Sequence, residues 1–451
     1  MSKIVFSNHL GRVDGSKKHV HLLRDWSGAM IPGNVIFPPI EMLYAISYLR
    51  EKGHDAGLVD GNCTHQTFEA SVNEVLGRRP DFVVTVSSWL TLENDLELLA
   101  AIKKERPDCK TILCGPNVTC DPDAAMKSSA VDVVALGEFV DGVEEAVSGK
   151  LRQNVVYRRD GEVIHTPFVP MEDLDQIPYA AWDVVDRKRF WVPFTRNNPF
   201  ALALSGLGCP HGKCLFCHEE SYFGDHHRSH SAQYVIGEMD YLNSIGFREV
   251  IYRDQCFTAR PDVVEALCDH LIQKGSPVTW RVSTRVDLVS QDLLDLMSKA
   301  GCYQISFGFE SFSPAALLAC KKGATVEDGY NAARWAKEAG MEISGGFIFG
   351  LPGEELASTR QWLQQIRRRD IDFPQFFVLS HIFDYKNRKF VPLIEDPKEI
   401  KRLQSKMLRL ALAFYFNPIY LARQVHRVIS KEGLKRFLGI FYDFLRYFFL
   451  R

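Results

Sequence analysis

No stretch of this sequence reaches the roughly 20 charge-poor apolar residues that a membrane-spanning helix requires. Met1-Ser2-Lys3 runs straight into the strand-like Ile4-Val5-Phe6, without the apolar core of a signal peptide. Neither sign of charge dominates. The 54 Lys and Arg residues face 56 Asp and Glu, a formal net charge of −2, so no global field favours nucleic acid. Most of the 11 cysteines lack regular spacing, which argues against a secreted disulfide framework and fits a reducing compartment. The expectation is a cytoplasmic protein that binds no nucleic acid. A length of 451 residues with 46% hydrophobic content allows two or three ordinary globular domains.

One cysteine group does have spacing. Cys209-Pro210-His211-Gly212-Lys213-Cys214-Leu215-Phe216-Cys217 places three thiols within nine residues. Thiols so close cannot all face a packed core, but they can converge on a metal centre. A four-thiolate zinc site needs a second Cys-x-x-Cys, and none follows. Iron–sulfur clusters accept thiolates at such short spacings, and three ligands leave one iron of a [4Fe–4S] cube open. The alternative is a zinc site completed by His211, His218 or a distant residue.

Around this loop, β-branched runs alternate with amphipathic segments. In residues 1–150 the strand candidates are Lys3–Phe6, Ala56–Val59, Phe82–Val86, Thr111–Cys114 and Val131–Leu136. Helices are expected over Glu41–Lys52, Thr67–Leu76, Leu92–Arg106 and Asp121–Lys127. Leu92, Leu96, Leu99 and Ile102 recur at helical spacing and predict a core-facing stripe. Such alternation implies a doubly wound parallel sheet, which binds ligands at the carboxyl ends of its strands. Those ends carry Ser87-Ser88-Trp89-Leu90, Gly115-Pro116-Asn117 and Gly137-Glu138, each also explicable as turn chemistry. Residues 151–198 read as a linker with a hairpin turn at Arg158–Glu162.

From residue 199 to 385 the alternation resumes. Strands are expected at Ala201–Ser205, Glu249–Arg253, Thr279–Ser283, Gln304–Phe309, Glu342–Phe349 and Gln375–Ile382. Helices are expected at Ala232–Ile245, Pro261–Lys274, Gln291–Ala300, Val326–Ala339 and Glu355–Arg369. Six strands so connected predict an incomplete (β/α)6 barrel with its chemistry at the carboxyl ends. There lie Asp254-Gln255-Cys256-Phe257-Thr258, Ser283-Thr284-Arg285, Gly308-Phe309-Glu310-Ser311 and Gly345-Gly346-Phe347-Ile348-Phe349-Gly350.

The cysteine loop and these four strand ends resemble the radical S-adenosylmethionine (SAM) superfamily, with a first arc one residue longer than its usual Cys-x3-Cys-x2-Cys. The resemblance implies a [4Fe–4S] cluster on Cys209, Cys214 and Cys217, whose open iron binds the amino and carboxylate groups of SAM. It places SAM contacts at Phe216, Asp254, Ser283, Arg285, Glu310, Gly346, Ile348 and Gly350. Phe216 and Ile348 line an adenine slot, and Asp254, Arg285 and Glu310 meet the charged groups. Residues 1–150 resemble the Rossmann-like cobalamin-binding domain of one large subfamily, on Ser88-x-Leu90 and the Gly115 turn. Cobalamin contacts are then expected at Ser88, Leu90, Gly115, Pro116, Asn117, Gly137 and Glu138. The Asp-x-His-x-x-Gly motif of other cobalamin proteins is absent, and His9 and His65 do not fit it. Cobalamin is therefore expected without a histidine on cobalt, the alternative being a domain that has lost the cofactor.

The family chemistry is reductive cleavage of SAM to methionine and a 5′-deoxyadenosyl radical, fed by a one-electron donor such as flavodoxin or ferredoxin. The expected reaction is C-methylation of an unactivated carbon through methylcobalamin. The alternatives are radical cyclisation or oxidation without methyl transfer, and a non-catalytic iron–sulfur or cobalamin sensor. Residues 386–451 form a C-terminal helical region. Its last segment carries Phe437, Phe441, Phe444 and Phe448 on one face, with Lys435, Arg436, Arg446 and Arg451 beside it. That face is expected to cap the barrel. The rival is a peripheral helix on anionic membrane, which favours a lipid-like substrate over another small molecule.

Overall fold

Each β-branched run forms a strand and each amphipathic run packs across it. The computed structural model describes residues 1–12, 19–22, 30–31, 36–88, 91–138, 140–192, 195–355, 358–384 and 389–422. The described residues divide into two units, Met1–Thr195 with Ser221–Gly224, and Arg196–Glu220 with residues 225–422.

In the first unit, β1 (Lys3–Ser7), α1 (Ile40–Glu51), β2 (Asp55–Val59), α2 (Phe68–Gly77), β3 (Phe82–Val86), α3 (Leu92–Glu105), β4 (Lys110–Cys114), β5 (Val133–Ala135) and α4 (Val140–Ser148) alternate. The parallel strands lie in the order β5-β4-β3-β1-β2, a doubly wound sheet. The order reverses between β1 and β3, and a crevice opens where strand order reverses. The residues read as a linker begin with an antiparallel hairpin, β6 (Val155–Arg159) and β7 (Glu162–His165), which extends this sheet beside β5. Burial of Val155, Val156 and Tyr157 accounts for this, because β5 otherwise presents an unpaired edge.

The buried stripe of α3 is rotated from the expected one. Leu98, Leu99 and Ile102 are buried with Asn94 and Asp95, while Leu92 and Leu96 are only partly covered. The rotation has an electrostatic cause. Asp95 receives Thr91 Oγ1 at 2.8 Å and lies 3.2 Å from His9 Nε2, both side chains fully buried at the carboxyl end of β1.

In the second unit, β8 (Phe200–Ala203), α5 (Ala232–Ser244), β9 (Glu249–Tyr252), α6 (Pro261–Gln273), β10 (Thr279–Arg285), α7 (Gln291–Lys299), β11 (Cys302–Glu310), α8 (Pro314–Ala319), α9 (Val326–Glu338), β12 (Glu342–Phe349), α10 (Thr359–Arg368) and β13 (Phe373–Val378) follow one another. The six strands pair in chain order, all parallel, with β8 and β13 at the two edges. This is the incomplete barrel architecture. Alternation along the strands gives two faces. Val282, Ile305 and Ile343 are buried on one, while register pairs Ser283 with Ser306 and Ser306 with Ser344 on the other. Arg285, Gly308 and Gly346 pair in the next layer toward the carboxyl ends. At the opposite end Arg281 donates to Gln304 at 3.0 Å, and Arg196 pairs with Glu342 at 2.5 Å.

The expected strand Gln375–Ile382 is two elements. The chain leaves the sheet after Val378, where Leu379 N–H donates to Phe349 O at 2.8 Å. A separate hairpin pairs His381–Asp384 with Lys389–Pro392. The helix α11 (Pro397–Tyr415) follows, close to the expected Glu399–Phe416. Residues 423–451 lie outside the described residues, and with them the aromatic face of the tail. Among the described residues no helix is long and apolar enough to cross a membrane.

Gly115 is a first-unit position where the backbone itself requires glycine. Its φ is +121°, and a Cβ there meets Ser87 O at 2.2 Å. Gly115→Ala should lower the onset of thermal unfolding whether or not cobalamin is present, by roughly 1–3 kcal/mol of backbone strain plus the clash. Scanning calorimetry of the full chain checks this, and an onset that falls only with cobalamin present contradicts it.

Candidate active site at the carboxyl ends of the strands

The cysteine loop leaves β8 and is clamped at once by the turn after β9. Ser205 N–H donates to one oxygen of Asp254 at 2.9 Å and its Oγ to the other at 2.5 Å. Gly208 N–H donates to Gln255 Oε1 at 3.0 Å. Both carboxylate oxygens of Asp254 are thus engaged by the loop rather than free for an ammonium group. Burial pushes the Asp254 carboxyl up to about 7, against the lowering pull of the Ser205 hydrogen bonds. Gln255 holds the loop without adding a charge.

The three cysteines differ electrostatically. Cys209 is brought down to about 5, first by the thiol of Cys256, whose sulfur lies 3.6 Å away, and then by the backbone N–H groups of Gly212 and His211. Burial pushes Cys214 and Cys217 up. Arg285 Nη1 reaches Cys214 Sγ at 3.9 Å. A thiolate-favouring Cys209 and a buried cation beside Cys214 suit an anionic thiolate-bound cluster. His211, one candidate for completing a zinc site, contacts the Lys321 carbonyl through Nε2 at 2.7 Å. Among the described residues no three His, Cys, Asp or Glu side chains converge on a single metal ion. The nearby histidine-rich loop is not gathered either, since His230 stacks on Tyr234 at 3.7 Å.

The expected SAM contacts fall into two groups. Phe216, Ile348, Leu215, Leu351, Ala316 and Cys320 belong to one apolar cluster, so the two residues expected to meet adenine are packed together. Arg285 is buried and directed by a bidentate pair with Asp287 at 2.8–2.9 Å and by the Lys322 carbonyl at 2.8 Å. Glu310 is buried at a β-bulge with φ of +63°, a region that non-glycine residues rarely adopt and that marks stored strain. Gly346 has no packing reason to be glycine, because a Cβ there meets nothing closer than 3.9 Å. It leaves open space on the serine-bearing face, which Ser283 shares. Gly350 is accounted for by its own turn, with φ of +91° and Leu379 O at 2.8 Å from a Cβ.

Lys322 was not legible in the sequence. In Cys320-Lys321-Lys322-Gly323 it reads as a solvated turn residue. It is 4% exposed, pairs with Glu310 at 2.8 Å and stands 5.9 Å from the centre of the Phe216 ring. Asp287 was likewise visible only once the strand ends were assembled.

In the first unit, Ser88 sits beside the point where strand order reverses. Its Oγ lies 3.1 Å from Thr91 Oγ1, joining it through Asp95 to His9. Asn117 Nδ2 donates to Ser87 Oγ at 3.1 Å and Ser88 O at 2.9 Å, so the turns after β3 and β4 are tied together. Asn117 Oδ1 is buried without a partner among the described residues, the kind of acceptor that a bound group can satisfy. Pro116 is buried in the first turn of the short helix Pro116–Cys120. Gly137 packs against Phe168 and takes Thr119 Oγ1 on its N–H, and Glu138 accepts Met171 N–H at 3.1 Å. Leu90 lies outside the described residues.

Residues 204–366 match the Radical SAM superfamily, and residues 29–147 match the B12 binding domain. The chain therefore carries both domains of the cobalamin-binding radical SAM family. Those domains imply a [4Fe–4S] cluster, SAM and cobalamin as its cofactors. Among curated proteins it is 26% identical to an uncharacterized methyltransferase, PH0819, of Pyrococcus horikoshii, over 90% of this chain and 94% of that one. It is 25% identical to the anaerobic magnesium-protoporphyrin IX monomethyl ester cyclase of Rubrivivax gelatinosus, over 93% and 80%. Its fold is similar to that of the cobalamin-dependent SAM radical enzyme OxsB, with a TM-score of 0.70 at 13% identity, covering 100% of this chain and 72% of that one.

Two outcomes are expected. Asp254→Ala should lower the iron retained after anaerobic reconstitution, while Asp254→Asn, which can keep both Ser205 hydrogen bonds, should retain it. An Asn variant with full iron but weakened SAM binding contradicts the clamp. Because folding raises the Asp254 carboxyl, its contribution to stability should fall as pH rises from about 4 to about 7, and Asp254→Asn should remove that slope. Lys322→Ala leaves Glu310 buried and unpaired, a loss of roughly 3–5 kcal/mol. It should lower both the unfolding onset and SAM affinity, measured by calorimetry and equilibrium binding.

Proposed function

We propose that this protein is a cobalamin-dependent radical SAM methyltransferase that methylates an unactivated carbon of a small-molecule or lipid-like acceptor. The observation that carries the proposal is the Glu310–Lys322 ion pair, buried at a strained strand end beside the Phe216–Ile348 slot. The amino-acid end of SAM is itself an ion pair. Glu310 takes its ammonium and Lys322 its carboxylate, so each buried charge exchanges one partner for another. Arg285, turned by Asp287, offsets negative charge at Cys214 and stands ready for the same carboxylate. Phe216 and Ile348 take the adenine, Ser283 a ribose hydroxyl, and Gly346 lets the ligand lie close to β12. Gly350 makes the turn that ends this wall. Asp254 and Gln255 keep Cys209 in register with Cys214 and Cys217, which hold the cluster.

Cys209, Cys214 and Cys217 would hold the cluster, which would supply the electron for reductive cleavage of one SAM. The first unit would hold cobalamin, which would relay a methyl group from a second SAM. A flavodoxin- or ferredoxin-like donor would provide two electrons per turnover, one to the cluster and one to cobalt. In the first unit Ser88, Gly115, Pro116 and Asn117 form the cobalamin pocket, closed on one side by the Gly137-Glu138 turn. His9 stays with Asp95, which supports cobalt without a histidine ligand. The division into residues 1–150, 151–198, 199–385 and 386–451 is kept as a functional one, the hairpin of residues 155–165 serving the first sheet.

A second reading is supported by the similarity to the cyclase, which covers 93% of the chain. In that reading the radical step is kept and methyl transfer is lost. Product stoichiometry under anaerobic reduction separates them. The methyltransferase forms S-adenosylhomocysteine as well as 5′-deoxyadenosine, and its product gains one carbon. Formation of 5′-deoxyadenosine with no S-adenosylhomocysteine, across acceptors that are consumed, overturns methyl transfer. A sensor forms neither.

A further inference from the structure

Cys256 lies outside the three-cysteine motif and has no spacing that ties it to a cluster. The structure nevertheless brings its sulfur to 3.6 Å from that of Cys209. This is far longer than a disulfide bond of about 2.05 Å and suits an S–H donor facing a sulfur acceptor. Cys256 is 2% exposed, so water does not compete for the contact.

The separation is set from both sides. Asp254 and Gln255, immediately before Cys256, grip Ser205 and Gly208, and Gly208 immediately precedes Cys209. After Cys256 its carbonyl accepts Ala259 N–H at 3.0 Å, and Phe257 and Thr258 are buried. The two sulfurs are thus placed by backbone on either side and not by a long flexible side chain. Cys214 meets a different donor, Arg285 Nη1 at 3.9 Å, so these two ligands are inequivalent.

We propose that Cys256 is a positioning residue for the cluster, donating its S–H to the Cys209 sulfur and raising the cluster's reduction potential. The inference rests on Cys209 being a cluster ligand. Adding an electron increases negative charge on the ligating sulfurs, and a donor aimed at one of them offsets that charge. Electron entry is the step that needs this help, because SAM is cleaved only after the cluster is reduced. Cys256 touches neither SAM nor acceptor in this role and acts through Cys209.

The test uses the full chain, reconstituted anaerobically with iron and sulfide, as wild type, Cys256→Ala and Cys256→Ser. Iron and sulfide are assayed, and the cluster's midpoint potential is taken from a titration followed by electron paramagnetic resonance without SAM. Cys256→Ala should keep the wild-type iron and sulfide content and shift the potential negative. At fixed potential the reduced-to-oxidised ratio should fall about threefold. Cys256→Ser, which retains an O–H donor, should lie between the two. An unchanged potential in Cys256→Ala overturns the proposal. So does loss of the cluster in that variant alone, which makes Cys256 a ligand. Absence of a [4Fe–4S] cluster from all three proteins overturns the cluster assignment itself, and the proposal with it.

Discussion

A parallel strand cannot turn straight back to its neighbour; it needs a crossover of a dozen residues or more. That constraint governs both units. Helices cover the apolar faces, loops collect at the two strand ends, and the polar groups with chemical work to do gather at one of them. In the second unit the carboxyl ends of β8 to β12 bring together Ser205, Asp254, Arg285, Glu310 and Gly350, which span nearly 150 residues of sequence. No local motif could assemble them. The strand pairing does so because register fixes where each strand stops.

Gathering charges in a low-dielectric place costs free energy unless each has a partner. The structure meets that cost group by group. Asp254 is capped by Ser205, Arg285 by Asp287, and Glu310 by Lys322. These pairs are unequal in kind. Asp254 spends both oxygens on the protein and serves as a clamp. Glu310 and Lys322 spend their charges on each other, in direct contact at 2.8 Å. The strained φ of Glu310 fits that difference, since strain persists where the surroundings over-determine a position and is stored where a ligand is to be met.

The first unit follows the same logic with fewer charges. Beside the point where strand order reverses, hydrogen bonds from Asn117 tie the turns after β3 and β4 into one rim. Gly115 is a glycine for a backbone reason, Gly346 for the lack of one. The first lets two backbone segments touch, and the second leaves open space beside a strand.

By itself the sequence determined the alternation of strands and helices, the six-strand order of the second unit, and the cysteine loop with its flanking strand ends. Those properties are local, set by side-chain period and by turn residues a few positions apart. It also named Phe216 and Ile348 as walls of one slot, and the structure places both in one cluster. Tertiary structure alone decided which polar groups are spoken for. Asp254 reads as a free carboxylate in sequence and is bound on both oxygens. Lys322 reads as solvated and is 4% exposed. Asp95, an ordinary helix carboxylate in sequence, is fully buried against His9. The linker hairpin became sheet, and a long strand split in two, because an open edge and a competing turn outside each segment supplied better hydrogen bonds. A side chain's partner is a property of distance in space, and sequence records only distance along the chain.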